Sequence, residues 1–201
     1  MNPFLTLIAK LFRDVRWSLL FSAATLFALG WLFVYVTSLN ESKIRKALAA
    51  APGKGGGFGW MRSMGMGEQP SSAAIIVGFW SHPMIILVVA VWAIGRGTSA
   101  VGSEIERGTL DLVLSRPISR SSYLTAQIVA SLSGLFLIAL SLAAGAAIAV
   151  RYNVLGSPPG FGQLVRPALN LAVLGLPIYA YTLLFSTLDH VRWRPTMLGS
   201  M

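Results

Sequence analysis

The 201-residue chain has no cysteine, which excludes a disulfide framework, a thiolate metal site and a cysteine nucleophile. Charge is scarce as well. The 16 Lys+Arg and 7 Asp+Glu amount to 11% of the residues, where a soluble domain carries about a quarter. With 55% of residues hydrophobic and a mean hydropathy of +0.68, that shortage excludes an ordinary soluble globule. Disorder is excluded too, because it needs low hydrophobicity and high charge. The absence of cysteine fits any compartment and selects none.

What is present is a set of long uncharged runs. Trp17–Asn40, Gln69–Gly95, Ser121–Val150 and Pro167–Leu188 contain no Asp, Glu, Lys or Arg, and together they make up about half the chain. A helix needs roughly 20 apolar residues to cross the hydrocarbon core. Helices are admitted there because they satisfy their own backbone groups. The runs predict four membrane spans, near 17–38, 73–96, 122–150 and 167–188, in an all-α, polytopic helix bundle. We expect one transmembrane domain over 1–201, with an outer loop at 41–68. Four buried helices of a soluble core would be the bland alternative, but so many uncharged runs in so short a chain argue against it. The first run is also longer than the roughly 7–15 apolar residues of a signal peptide, so it reads as an uncleaved span.

The net charge of +9 does not point to nucleic acid. The basic residues cluster at span ends, where they meet headgroups and set orientation. The six tryptophans lie mostly in or beside the spans, as an interfacial belt does. Four spans place both termini on one side. That side carries nine Lys+Arg and the other seven, too small an excess to fix orientation.

Gly53-Lys54-Gly55-Gly56-Gly57 lacks the spacing of a phosphate-binding loop and reads as a flexible connector. Met61, Met64 and Met66 could suit soft Cu(I), but three methionines in an apolar loop are the plainer reading. Pro83 and Pro177 predict kinks in the second and fourth spans, as hinges or as static bends. Ala139, Ala143 and Ala147, at i, i+4 and i+8, could line a close helix contact, inside one chain or between two chains. His82 is the one residue in the spans expected to titrate near neutrality. It is a candidate intramembrane polar site.

The charged segment with clear order is Gly102–Arg120. Ser103 and Glu106 form a capping-box pattern, and Pro117 should end the helix they begin. About 12 residues remain, too few to span. Glu104, Arg107 and Asp111 share one face, where Arg107 can pair with either acid. Leu110, Leu112 and Val113 extend the apolar side. This pattern predicts a short amphipathic helix along the membrane surface. Ser119 is placed to cap the next helix. From the residues alone, the segment is a working element or a plain interfacial connector.

The run Glu104-Ile-Glu-Arg-Gly-Thr-Leu-Asp-Leu-Val-Leu-Ser-Arg-Pro-Ile-Ser-Arg120 resembles the signature of type-2 ABC-transporter permeases. Those proteins show an acidic stretch, Gly-Thr-Leu, an acid, apolar residues and then Arg-Pro-x-Ser-Arg. The surrounding layout is similar as well. The resemblance implies a permease subunit, an exporter as is usual in the family, whose segment 102–120 is a cytoplasmic coupling helix. It further implies that the segment docks on a separate ABC ATP-binding subunit, which holds ATP and Mg. Glu104, Glu106, Arg107, Gly108, Thr109, Leu110, Asp111, Arg116, Pro117 and Arg120 would carry that coupling. Arg116 and Arg120 could equally reach headgroups by snorkelling. The implied partners are that subunit, a second permease chain, identical or not, and membrane lipid. The implied location is the cell (inner) membrane, multi-pass, with a cytoplasmic N-terminus. Family members usually have six spans, so the last two are expected to be missing after Arg192-Trp193-Arg194-Pro195, either by truncation or in a short variant.

Catalysis by the chain itself has little support. No Gly-x-Ser-x-Gly elbow or His-Glu-x-x-His motif occurs, and adjacent Ser81-His82 do not meet on a helix. No catalytic residue and no metal ligand set is expected. A non-transporting membrane scaffold or assembly factor is the alternative from another class. It would share the bundle without needing an ATPase.

Overall fold

An uncharged run in hydrocarbon has no water for its amides, so it closes its hydrogen bonds within itself as a helix. The computed structural model describes residues 3–50, 72–100 and 119–188. Helix α1 covers Pro3–Ala50, α2 covers Ser72–Gly78, and a single 3-10 turn follows at Phe79–Ser81. Helix α3 covers Pro83–Ser99, α4 covers Arg120–Tyr152 and α5 covers Phe161–Leu188. No strand occurs among the described residues. The segments Phe4–Lys43, Arg120–Tyr152 and Phe161–Thr187 are each long and apolar enough to cross a membrane. The pair Ser72–Ser81 and Pro83–Ser99, bent by 42°, makes a fourth crossing if it counts as one broken span. The protein is an all-helical, polytopic membrane bundle.

The break has a local cause. The residue before a proline is pushed out of the helical region. His82 accordingly has φ −65° and ψ 136°, and Pro83 takes the first helical position, where its missing N–H is no loss. Pro177 behaves differently. Helix α5 runs through it without a break, because one missing N–H inside a 28-residue helix is carried by the turns on either side.

The chain forms two compact units, and α1, α3, α4 and α5 each contribute to both. The first comprises Met1–Ser22, Leu87–Ile138 and Ala172–Met201. In it, Leu7 and Leu11 pack against Tyr123, Ala126 and Ala130, with Phe4, Ile8 and Phe12 around them. Lys10, Arg13, Asp14 and Arg16 are exposed, so α1 is amphipathic before Trp17 and begins well ahead of the expected span. The Arg16 guanidinium lies 5.5 Å from the centre of the exposed Trp17 ring, a cation–π contact.

The second unit comprises Ala23–Ile86 and Ala139–Leu171. There α1 and α4 meet backbone to backbone. A Cβ on Gly30 would collide with the Leu142 carbonyl oxygen, and one on Gly145 with the Phe27 carbonyl oxygen. Ser141 Oγ donates to the Ala23 carbonyl at 2.9 Å beside this crossing. Of the small residues expected at a close approach, Ala139 and Ala143 are buried and Ala147 is half-buried. In the same unit, Glu41 joins three elements. Ser72 Oγ donates to its Oε1 at 2.7 Å, and the Gly156 amide donates to its Oε2 at 3.1 Å.

Candidate functional site

Of the residues expected to couple the chain to a partner, Arg120 is described. It is the exposed first residue of α4. Glu104, Glu106, Arg107, Gly108, Thr109, Leu110, Asp111, Arg116 and Pro117 lie outside the described residues, as do Met61, Met64 and Met66. The structure does describe the frame on either side of that segment, the last turn of α3 and the first turns of α4, within the first unit.

Helix α4 opens as the sequence suggests. The Ser122 amide donates to Ser119 Oγ at 3.1 Å, so Ser119 caps one of the free N-terminal amides. One turn on, Tyr123 is buried, and its hydroxyl donates to the Ala100 carbonyl at 3.4 Å. Gln127 Nε2 donates to the same hydroxyl at 2.9 Å. Gln127 Oε1 accepts from Arg96 Nη2 at 3.0 Å, and Ser131 Oγ accepts from Arg96 Nε at 3.3 Å. Tyr123, Gln127 and Ser131 recur every fourth residue, so they form one polar stripe on α4 facing the end of α3.

Arg96 is the centre of this cluster and is only 9% exposed. A guanidinium keeps its charge in a protein, so its burial is tolerable only with hydrogen-bond acceptors around it. Gln127 and Ser131, themselves buried, supply them. In sequence Arg96 is one more cation at a span end, and the 123/127/131 stripe in an otherwise apolar run is the signal that could find it.

Helix α5 closes the cluster from another side. Ser186 Oγ donates to the Thr98 carbonyl at 3.0 Å. Thr182 packs so closely on Gly97 that a Cβ there would overlap its hydroxyl. Tyr179 is 4% exposed, and its hydroxyl, near Ser131 and Arg96, makes no hydrogen bond of acceptable geometry. The last turn of α3 is therefore tied to α4 and to α5 through side chains that bond across helices.

A family model described as "ABC-2 family transporter protein" matches residues 5–191. The chain belongs to that family. No curated protein and no solved structure matches it. This ABC-2 permease is thus a membrane-transport component of an ABC system and a multi-pass membrane protein. Such subunits work in general with an ABC ATP-binding partner and generally lack an ATPase site of their own. Among the described residues, no group of three or more His, Cys, Asp or Glu is placed to hold a metal ion.

His82 of the permease lies in the second unit, in the break before α3, half-buried. Its Nδ1 accepts the Met84 amide at 3.3 Å, and its ring centre is 5.9 Å from that of Phe33. With its extended backbone it serves as the N-cap of α3, an imidazole nitrogen taking the place of the usual side-chain oxygen. His190, the other histidine, lies outside the described residues.

Proposed function

We propose that this chain is the permease of an ATP-driven exporter, in which residues 102–120 receive movement from a separate ATP-binding subunit. The observation that carries the reading is the charged pattern Glu104–Arg120 lying inside the stretch matched by the ABC-2 family. The tied ends of α3 and α4 on its flanks support it. A push reaching the last turn of α3 would be passed to α4 and α5, to which that turn is bonded.

In this reading Glu104, Glu106, Arg107 and Asp111 make polar contacts with the ATP-binding subunit, around the Gly108-Thr109-Leu110 run. Arg116, Pro117 and Arg120 set the return into the membrane. ATP and Mg are held by the partner, and closure of that partner biases the permease by contacting the segment differently in its two states. A second permease chain completes the pathway. The segment follows two spans, so it shares a side with the N-terminus. In this reading the N-terminus is cytoplasmic and the bundle is one transmembrane domain of the inner membrane. Export follows the habit of the family.

The test is co-purification in detergent with the co-expressed ATP-binding protein. The wild type should retain it, and Glu104→Ala/Arg107→Ala/Asp111→Ala should lose it while staying folded. Equal retention by both would remove the segment from the coupling role. Loss from both, with another membrane protein retained, would favour a scaffold instead.

A further inference from the structure

A buried hydroxyl without a partner is uncommon in a native interior and calls for a reason. Tyr179 is such a group. It stands on α5 at the level of the Arg96–Ser131 contact, where every neighbouring polar side chain of the cluster is engaged. The Arg96 Nε to Ser131 Oγ bond is itself long, at 3.3 Å. A small shift of α5 against α4 would let the Tyr179 hydroxyl donate to Ser131 or accept from Arg96. The present set of hydrogen bonds leaves Tyr179 out, and such a shift would open a second set that includes it.

We propose that Tyr179 is a positioning residue for transport, its hydroxyl joining the Arg96–Ser131 pair when the segment between α3 and α4 is displaced. The inference rests on the coupling reading above and names how the displacement would reach α5. Two contacts hold the present arrangement: Ser186 to the Thr98 carbonyl, and Tyr123 to the Ala100 carbonyl. Both grip the last turn of α3, the part of the helix nearest the segment. Moving that turn loosens them and offers the Tyr179 bond in exchange. A transmitted signal needs an element with two arrangements of this kind, not mere proximity.

The chain has no cysteine, so labels can be placed uniquely. Thr125→Cys on α4 and Leu184→Cys on α5 are both at exposed positions and would carry nitroxides in the full chain, bound to a cysteine-free form of its ATP-binding partner. Pulsed EPR then compares the nucleotide-free complex with the complex trapped by ATP and vanadate. We expect a shift in the label separation for otherwise wild-type chain and loss of that shift in Tyr179→Phe. Tyr179→Phe removes only a hydroxyl that makes no hydrogen bond of acceptable geometry in this state, so its melting temperature and its co-purification with the partner should match wild type. A full shift in Tyr179→Phe would overturn the proposal. So would a lowered melting temperature, since it would show that the hydroxyl is already bonded at rest. No shift in the wild type with the partner bound would instead overturn the coupling reading, and this proposal with it.

Discussion

Arg96 Nη2 donates to Gln127 Oε1 at 3.0 Å, and both side chains are buried. The bond links the helix before the segment 101–118 to the helix after it, at a point where both side chains are largely buried. A hydrogen bond to a charged group contributes about 1.5–3 kcal/mol, and its loss also strands the other partner. Gln127→Ala should therefore destabilise the permease by about 2 kcal/mol or more, read as a lower melting temperature in detergent. Gln127→Glu should do less damage, because a carboxylate accepts from a guanidinium at least as well as an amide does and only the donation to Tyr123 is lost. Equal damage from both would mean that the amide's donation to Tyr123, not its acceptor for Arg96, is what the cluster needs.

The glycines separate into two kinds, which gives a second prediction. A Cβ at Gly145 would overlap the backbone of α1, whereas one at Gly95 would meet nothing within 4 Å. Alanine in a helix interior is favoured over glycine by roughly 0.5–1 kcal/mol. Gly95→Ala should then raise the melting temperature slightly. Gly145→Ala gains the same preference but forces two backbones apart, a strain of typically 1–3 kcal/mol, and should lower it. Thermal unfolding of the two single variants side by side decides this.

These cases also show what could be read from the sequence. The spans were legible because a bilayer demands about 20 apolar residues and tolerates few charges, a rule that acts on each run separately. The helix before Trp17 was hidden by Lys10, Arg13, Asp14 and Arg16, whose exposed face conceals the buried Leu7 and Leu11. Arg96 was hidden because a cation at the end of an uncharged run looks like a flank. Only its pairing with Gln127 and Ser131, more than 30 residues away, makes it a site. The alanine row pointed to the correct helix, but the closest approach uses Gly145 beside it and Gly30 on a helix that offered no such row. Pro83 and Pro177 looked alike in sequence. The first lies at a helix start, behind an extended His82, and the second inside a helix that runs on through it.

Glu41 supplies a third prediction, confined to the second unit. Its two oxygens accept from Ser72 Oγ and from the Gly156 amide, so one carboxylate holds the start of α2 and the α4–α5 connection to α1. Ser72 is fully buried. Glu41→Ala leaves that hydroxyl without its carboxylate acceptor, at about 1–3 kcal/mol. Hydrogen exchange should speed up at Ser72–Gly78 and near Gly156, while the Arg96 cluster in the other unit keeps wild-type protection. Unchanged exchange in α2 would show that the carboxylate is not what holds it.

His82 gives the last prediction, and here the substitution chosen matters more than the loss itself. The side chain caps α3 through Nδ1, which accepts the Met84 amide, and Pro83 follows at the first helical position. A good cap contributes about 1 kcal/mol relative to alanine. A capping role predicts that His82→Ala frays the start of α3 and that His82→Asn or His82→Asp restores it, since both carry an accepting oxygen at the right reach. A direct role in handling cargo predicts otherwise: neither substitute has an imidazole, so all three should fail together. Exchange at Met84–Ile86 reads the cap, and transport by the reconstituted complex reads the function. Restoration of both by His82→Asn would make His82 a structural cap at a break. Restoration of the exchange pattern alone would leave the imidazole a task beyond holding the helix.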